Sequence, residues 1–493
     1  MFSKRYCHRL LIVLSSSLIS VLSLFAQAPG WKVVYLTYND ARSVLEALDE
    51  ILPEELKNRS ADEQKALWPG WVARRDAEIR TRLAQGDEDS LINFLLFGTS
   101  FTNQPRLSLE QIKQMKRVDN TFSSNNNNTG PAPNNVSRLI TARINDLLNA
   151  LAKPGGNERL LFASKILVGE KGFGLQTKEE RERAALYLRL SLERVLNENA
   201  GYARALEAAR LQGDVSEEFA ERSRLFRARG LASDTSLLPN FAIEESLKAI
   251  KARGLLEPGG VRRVAIIGPG LDFTDKQEGY DFYPQQTIQP FAVIDTLLRL
   301  GLAKADALQV ITFDLSPRVN DHLRRARERA RHGQSYIVQL PRDLHAEWKP
   351  EAIRYWERFG DNVGSPVPPV AIPGTVGELN IRALRVRPME ASRVWPVDTN
   401  IVLQRLDLPP EERFELIIAT NIFVYYDTLD QSLAMVNVER MLRPGGFMLS
   451  NNALLELPFS AVRSIGYSTV VYSERPNDGD HIVWYQRMRD HPR

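Results

Sequence analysis

The sequence predicts a two-part protein: a mostly α-helical N-terminal half, then an α/β domain built on a parallel sheet over residues 254–493. Two observations predict this division. Residues 29–118 and 138–253 carry apolar side chains at helical spacing, whereas beyond them short apolar strands alternate with amphipathic helices. Between the two helical stretches, residues 119–137 are rich in asparagine and poor in apolar side chains, which is typical of a linker.

Residues 1–28 predict an export signal or a membrane anchor. They begin with basic side chains and no acid, continue with an apolar run, and end in Ala-Gln-Ala. Pro29 disfavours cleavage by a signal peptidase, so an uncleaved anchor stays open, and a buried N-terminal helix is the alternative. Both membrane interpretations place the rest of the chain outside the cytoplasm, because basic residues stay inside. Without a leader the protein would be cytoplasmic.

Charge and cysteine content exclude several classes of function. The chain has 64 basic and 61 acidic residues, and without Lys4, Arg5 and Arg9 the numbers are equal. A neutral body gives no electrostatic reason to expect nucleic-acid binding. Cys7, inside the predicted leader, is the only cysteine, and the six histidines are scattered. We therefore expect no disulfide, no thiol nucleophile and no metal site.

The α/β domain shows its strands as apolar runs separated by amphipathic helices. Near its end, two further strands are joined by a polar turn, which predicts an antiparallel hairpin that closes the sheet. The predicted strands are "RRVAIIG", "LQVITFD", "FELIIATN", "GGFMLSNN", "STVVYS" and "HIVWYQRM".

A glycine pair follows the first of these strands. Gly268 and Gly270 allow backbone N–H groups to approach a ligand, but an ordinary tight turn would use the same residues. The place where a dinucleotide pattern has its third glycine holds Phe273. Taken alone, the turn does not distinguish these two interpretations.

An acidic residue at the end of the second strand strengthens the ligand interpretation. Asp314 could accept both hydroxyl groups of a ribose. It lies 44 positions after Gly270, against about 20 in the compact pattern. The excess comes from an insertion, Asp272–Thr287, which we expect either to lie over the site or to form a surface loop.

The order of these motifs resembles class I S-adenosylmethionine-dependent methyltransferases. The resemblance covers about residues 250–490 and includes the glycine turn, the second-strand acid, "FELIIATN", a helix, "LRPGG" and a closing hairpin. The stretch Arg405–Asp427 further resembles the chemotaxis-receptor glutamate methyltransferases. The resemblance implies a Rossmann-like sheet and S-adenosylmethionine as cofactor.

The resemblance also implies roles for individual residues. The glycine turn would approach the amino-acid half of the cofactor, Asp314 would hold the ribose, and Asn421 would face both cofactor and acceptor. Ile266 stands where the family has an acid, and Asp272 where it has a last glycine, although Asp272 could meet the cofactor's ammonium group. The implied cofactor-binding residues are Gly268, Gly270, Asp272, Asp314, Leu315, Asp407 and Asn421.

Two alternatives to a methyltransferase stay open: a non-catalytic binding or scaffold protein that keeps the fold, and a nicotinamide-dependent oxidoreductase. The acceptor is not identified; a carboxylate needs no base, whereas nitrogen or hydroxyl acceptors must lose a proton. The sequence shows no evident catalytic base. Four tyrosines could contact an acceptor or could serve only in packing, namely Tyr280, Tyr283, Tyr425 and Tyr426.

Overall fold

The computed structural model describes residues 30–107, 134–212, 226, 229–272, 280–374, 376, 378–475 and 478–489. The predicted leader, residues 1–28, lies outside this range, as does most of the Asn-rich stretch 119–137. In the ranges described, no helix is both long enough and apolar enough to cross a membrane.

The N-terminal half is helical, as predicted. Its longest early helix begins at Ser60, where the side chains and backbone of Ser60 and Glu63 form a reciprocal capping box, and ends before Gly98. A second capping pair, Thr177 and Glu180, precedes another long helix. The helices are α1 (Tyr38–Ala47), α2 (Ala61–Phe97), α3 (Asn134–Leu151), α4 (Glu158–Ser164), α5 (Lys178–Gln212) and α6 (Leu238–Ala252).

The α/β half contains a seven-stranded sheet. Its strands are β2 (Arg263–Ile267), β3 (Gln309–Asp314), β7 (Val394–Asp398), β9 (Phe414–Ala419), β10 (Leu442–Ser450), β11 (Val462–Val471) and β12 (Gly479–Arg487). Their order across the sheet is β11-β12-β10-β9-β2-β3-β7. All neighbours are parallel except the pairs made by β12, which runs antiparallel to β10 and to β11.

This order contains a point where the chain changes direction. From β2 it proceeds outward through β3 to β7, and then returns to place β9 and β10 on the other side of β2. In such sheets a crevice opens beyond the carboxyl ends of the two strands at the reversal, and ligands bind there. The reversal lies between β2 and β9, so the site is expected after Ile267 and Ala419.

The remaining helices and strands surround this sheet. The helices are α7 (Gln289–Arg299), α8 (Pro317–Arg331), α9 (Pro350–Arg358), α10 (Pro388–Ser392) and α11 (Thr428–Met441). A three-stranded antiparallel sheet is inserted between α8 and β7, and it consists of β4 (Tyr336–Asp343), β5 (Gly364–Val367) and β6 (Leu379–Val386). A short ribbon pairs β1 (Val33–Tyr35) with β8 (Gln404–Leu406).

Apolar side chains alternate between the two faces of the large sheet. In β2, Val264 and Ile266 join a core with α6, α7 and α8, whereas Ala265 and Ile267 join a core with α1, α11 and the first part of α2. A third core, formed by the end of α2 with α3, α4 and α5, lies within the helical half. Helices on both sides of a sheet give the layered α/β architecture. The N-terminal helices α1 and α2 therefore supply part of one layer of the α/β domain.

Candidate functional site

A cavity of about 470 Å³ lies beyond the carboxyl ends of β2, β3 and β9. Gly268 follows β2, Asp314 ends β3, and Thr420 and Asn421 follow β9, and all four line the cavity. The location is the one expected from the strand order, because it is at the reversal point of the sheet. Its volume lies within the range of small-molecule sites.

Two separate constraints, backbone conformation and close packing, require glycine at both positions of the glycine turn. Gly268 and Gly270 adopt φ values of 64° and 70°, which residues with a Cβ rarely adopt. A Cβ on Gly268 would meet the side chain of Ile422 at 2.2 Å, and one on Gly270 would meet the carbonyl oxygen of Asp234 at 2.6 Å. The turn is therefore closely packed against other parts of the protein as well as lining the cavity.

Asp314 is held by the turn that follows β3. Its Oδ1 accepts a hydrogen bond from the N–H of Ser316 at 2.8 Å, and Asn320 Nδ2 donates to its backbone carbonyl at 2.9 Å. The residue is only 9% exposed. Burial raises the pKa of the carboxyl to about 7, although Ser316 N–H and the Arg318 guanidinium favour the charged form. Hydroxyl groups of a ligand could stabilise that charged form.

Asn421 adopts a left-handed conformation at the end of β9, with φ of 58°. Its N–H donates to Asn451 Oδ1 at 2.7 Å, and Asn451 Nδ2 donates back to Asn421 Oδ1 at 2.6 Å. Asn451 Nδ2 also lies 3.3 Å from Asp480 Oδ1. These contacts fix the side chain of Asn421 and connect the middle of the cavity to its end near β12.

A second part of the wall comes from residues 231–239, which together with residues 229 and 230 we call the covering segment. Its residue Ser233 accepts a hydrogen bond from Leu271 N–H at 2.7 Å, directly after the glycine turn. On its other side, Leu231 N–H donates to the carbonyl of Arg82 in α2 at 3.0 Å. The segment therefore lies between α2 and the glycine turn.

The α2 helix holds the covering segment through backbone as well as side-chain contacts. Arg82 donates to the carbonyl of Arg229 at 3.0 and 3.2 Å, and to that of Tyr425 at 2.9 Å. A Cβ on Gly86 would lie 1.9 Å from the carbonyl oxygen of Leu231. Because only glycine permits this approach, Gly86 determines how closely the segment lies against the helix.

Five of the seven sequence-predicted residues meet at the cavity: Gly268, Gly270, Asp314, Leu315 and Asn421. Their cofactor-binding role stays a prediction.

The other two predicted residues lie outside the described cavity wall. Asp272 is buried, and its Oδ2 accepts hydrogen bonds from Tyr283 at 2.8 Å and Gln286 at 3.0 Å. Asp407 is exposed just after β8, and its N–H donates to Lys32 at 2.9 Å. The family resemblance matches Asp407 to the region of the third strand, whereas the third strand of this sheet is β7, which ends at Asp398.

The predicted insertion Asp272–Thr287 does not cover the cavity with any of its described residues. Residues 280–287 contact the helical half instead. Asp281 accepts hydrogen bonds from the N–H groups of Thr99 and Ser100 at 2.7 and 2.9 Å. Residues 273–279 lie outside the described range.

The four candidate tyrosines divide into two pairs. Tyr425 and Tyr426 line the cavity, whereas Tyr280 and Tyr283 pack in a small cluster with Leu379, away from the cavity wall. Burial raises the pKa of Tyr426, although the charge of Arg82 opposes this shift, so its hydroxyl stays protonated at neutral pH. The structure therefore leaves only the first pair in position to contact a ligand in the cavity.

Several wall residues were absent from the sequence prediction. Thr399 lines the cavity just after β7, and its Oγ1 is buried without a hydrogen-bond partner in the described structure. Gln289 Nε2 donates to Thr420 Oγ1 at 2.8 Å, and both residues line the cavity. The stretch "VWPVD" before Thr399 is strand-like, so Thr399 could have been found. The covering segment has no comparable signal.

No group of His, Cys, Asp and Glu residues within the described ranges is arranged to hold a metal ion.

Comparison with known proteins finds no matching family model and no matching curated protein. Several solved methyltransferase structures align with about half of this chain. The N-methyltransferase NodS from Bradyrhizobium japonicum WM9 is 12% identical, with 50% of this chain and 98% of that chain covered and a TM-score of 0.24. For the glycopeptide N-methyltransferase MtfA the values are 11%, 50%, 96% and 0.24. For the CcbJ methyltransferase from Streptomyces caelestis they are 16%, 51%, 78% and 0.20. TM-scores this low assign neither fold nor function, so the function is argued from the site.

Proposed function

We propose that the protein is an S-adenosylmethionine-dependent methyltransferase. One observation carries the proposal: a buried carboxylate, Asp314, ends the second strand beside a glycine turn, at the reversal point of a parallel sheet. This arrangement suits a nucleoside, because a carboxylate there can accept hydrogen bonds from both ribose hydroxyls. The antiparallel pair β11 and β12 at the sheet edge agrees with the sequence resemblance.

The residues around the cavity fit this cofactor chemically. Asp314 offers acceptors for a ribose, and Leu315 offers an apolar surface for adenine. The unpartnered Oγ1 of Thr399 is a buried polar atom that a ligand would satisfy. S-adenosylmethionine carries a positive sulfonium, and the described wall of the cavity contains aspartates but no Lys, Arg or His.

When bound, the cofactor would supply an activated methyl group on sulfur. The contribution of the chain is to position the acceptor in line with that group and to exclude water. The covering segment, residues 229–239, and the buried tyrosines Tyr425 and Tyr426 provide the exclusion. Asn421, fixed by Asn451, lies where the acceptor and the cofactor would meet.

Calorimetric titration of the purified protein with S-adenosylmethionine, and separately with NAD, tests this proposal. We expect saturable binding of S-adenosylmethionine and none of NAD. No heat with S-adenosylmethionine at millimolar ligand would refute it, and binding of NAD alone would favour the oxidoreductase. Binding without methyl transfer to any acceptor would identify a non-catalytic protein that keeps the site.

A narrower proposal concerns the resemblance of Arg405–Asp427 to the chemotaxis-receptor glutamate methyltransferases. It depends on one segment, whose residue Asp407 lies outside the cavity wall, and the aspartates of that wall disfavour a carboxylate acceptor. Methylation of a glutamate side chain would support it. The direct test is transfer of a labelled methyl group to a glutamate-containing peptide, and an absence of label after the cofactor has been shown to bind would exclude it.

A further inference from the structure

We propose that the methyl acceptor is an amine, so that the methyl group is transferred to nitrogen. This inference rests on the proposed function and names the substrate class of the same cavity. It concerns the end of the cavity beyond Asn421, where the wall is formed by Trp348, Tyr472, Asp478 and Asp480.

The charge of the cavity wall favours a cationic acceptor. The described wall contains four acidic side chains and, among its described residues, no basic one. A carboxylate acceptor would bring another negative charge to a wall without a cation of its own, which is unfavourable away from water. The nearby guanidinium of Arg318 lies outside the wall and already faces Asp87 and Asp314. An ammonium group is attracted by the same wall. The four acidic residues are Asp234, Asp314, Asp478 and Asp480.

Hydrogen bonds fix the position of Asp480 at this end of the cavity. Its Oδ2 accepts a hydrogen bond from the Tyr472 hydroxyl at 2.5 Å, and its Oδ1 lies 3.3 Å from Asn451 Nδ2. Asn451 in turn contacts Asn421, at the place where the acceptor and the cofactor would meet. Two neutral donors thus hold the carboxylate of Asp480 in place at this end of the cavity.

The end of the cavity beyond Asn421 is also aromatic. Trp348 and Tyr472 line it together with the two aspartates. An isolated bridge between Trp348 and Ser473 fixes their relative position, and Lys349 N–H donates to the Tyr472 carbonyl at 2.7 Å. Aromatic rings beside carboxylates form a favourable environment for an organic ammonium ion.

Methyl transfer to an amine requires a free lone pair on the nitrogen. The bound ammonium first loses one proton, which passes to water at the mouth of the cavity or to the Asp480 carboxylate. The nitrogen lone pair then forms a bond to the methyl carbon, and the carbon–sulfur bond breaks with its electron pair remaining on sulfur. The products are a neutral thioether and a methylated ammonium, which carries the positive charge that the sulfonium carried before.

Three compounds of matched shape test the inference, namely 2-phenylethylamine, 2-phenylethanol and 3-phenylpropanoate. Their binding is measured by calorimetry, with and without saturating S-adenosylhomocysteine. We expect the amine to bind about tenfold more tightly than the alcohol, and the carboxylate to bind most weakly. Equal or tighter binding of 3-phenylpropanoate would overturn the inference.

Variants connect the preference to named residues. Asp480→Asn and Asp478→Asn should each reduce the preference for amine over alcohol several-fold, whereas Glu474→Gln is the matched control, because Glu474 lies on the same hairpin outside the cavity wall. A preference unchanged in both aspartate variants would overturn the assignment.

The two proposals fail in different ways. If S-adenosylmethionine does not bind but the amine preference and its loss in the variants are found, the amine class stands and the proposed function falls. If S-adenosylmethionine binds and no amine preference exists, the substrate class falls. Mass spectrometry of 2-phenylethylamine after incubation with S-adenosylmethionine should detect the N-methylated product.

Discussion

The two walls of the cavity are built in different ways. One wall is formed by the carboxyl ends of the buried parallel strands β2, β3 and β9, at Gly268, Asp314 and Thr420. The other is the covering segment 229–239, which lacks regular structure over most of its length and is held by α2. The first wall is fixed by strand pairing and the second by a few contacts between distant parts of the chain. We therefore expect changes to the two walls to have different effects on stability and on binding.

The largest effect is expected where the walls meet, at Gly270. Gly270→Ala would force a residue with a Cβ into φ of 70° and against the backbone of Asp234, so we expect a loss of about 3 kcal/mol in the free energy of unfolding. Gly172→Ala is the matched control, with the same φ and nothing within 4 Å of the added Cβ, and should cost about 1 kcal/mol. Denaturant unfolding measures both, and equal costs would contradict the close approach.

The next largest effect is expected at the carboxyl end of β3, at Asp314. Asp314→Ala removes the acceptor proposed for the ribose and should weaken S-adenosylmethionine binding by about 1.5–3 kcal/mol, the range for lost hydrogen bonds to a charged group. Calorimetry gives the affinity, and circular dichroism confirms that the variant is folded. An unchanged affinity would remove Asp314 from the site.

The covering segment is tested by Gly86→Ala. Alanine normally stabilises a helix relative to glycine, by about 1 kcal/mol. At Gly86, however, the Cβ would displace the backbone of Leu231, so we expect weaker S-adenosylmethionine binding, about tenfold, with helix α2 intact. Gly70→Ala, in the same helix, would meet only the flexible end of Arg74 at 3.3 Å and serves as the control. If both variants bind equally well, the covering segment does not form a wall of the site.

The raised pKa of Asp314 makes stability depend on pH. Because burial raises the folded-state pKa to about 7 from an ordinary value of 3.8, the protonated side chain contributes stability that is fully present below pH 4. That contribution is lost as the pH rises to about 7. Asp314→Asn cannot ionise, so its advantage in unfolding free energy over the natural protein should grow to about 1–2 kcal/mol at pH 8. Unfolding at pH 4, 6 and 8 measures the trend, and a constant difference would show that Asp314 is not buried.

The smallest effect is expected at Asp407, outside both walls. Asp407→Ala should leave S-adenosylmethionine affinity unchanged within about twofold, because the side chain is exposed beyond β8. A loss comparable to that of Asp314→Ala would return Asp407 to the site.

The difference between the walls also explains how much could be predicted from the sequence. The strands β2, β3 and β9 are largely apolar, so their ends, with Gly268, Asp314 and Asn421, could be located from local pattern alone. The covering segment could not, because its hydrogen bonds from Arg82 to the carbonyl of Arg229 join residues that are 147 positions apart and leave no local pattern.

The position of Asp407 outside the cavity wall has a related cause. The third strand of the sheet, β7, contains Pro396 and follows the inserted sheet of β4, β5 and β6. The family resemblance therefore matched a later stretch, around Asp407, to this strand. The role of α1 and α2 as a layer of the sheet was equally hidden, because helical periodicity shows that a face is apolar and not what it packs against.

The pairing of β1 with β8 has a consequence for biosynthesis. Arg405 Nη2 lies 2.9 Å from Asp40 Oδ2, although the two residues are 365 positions apart. As the ribosome makes the chain from its N-terminus, α1 can pack against α2 early, but the part of its apolar face that joins α11 and β8 stays unpartnered until those elements have been translated. Helix α1 is therefore among the last described elements to complete its native contacts, and nascent chains that stop before residue 404 should depend on chaperones.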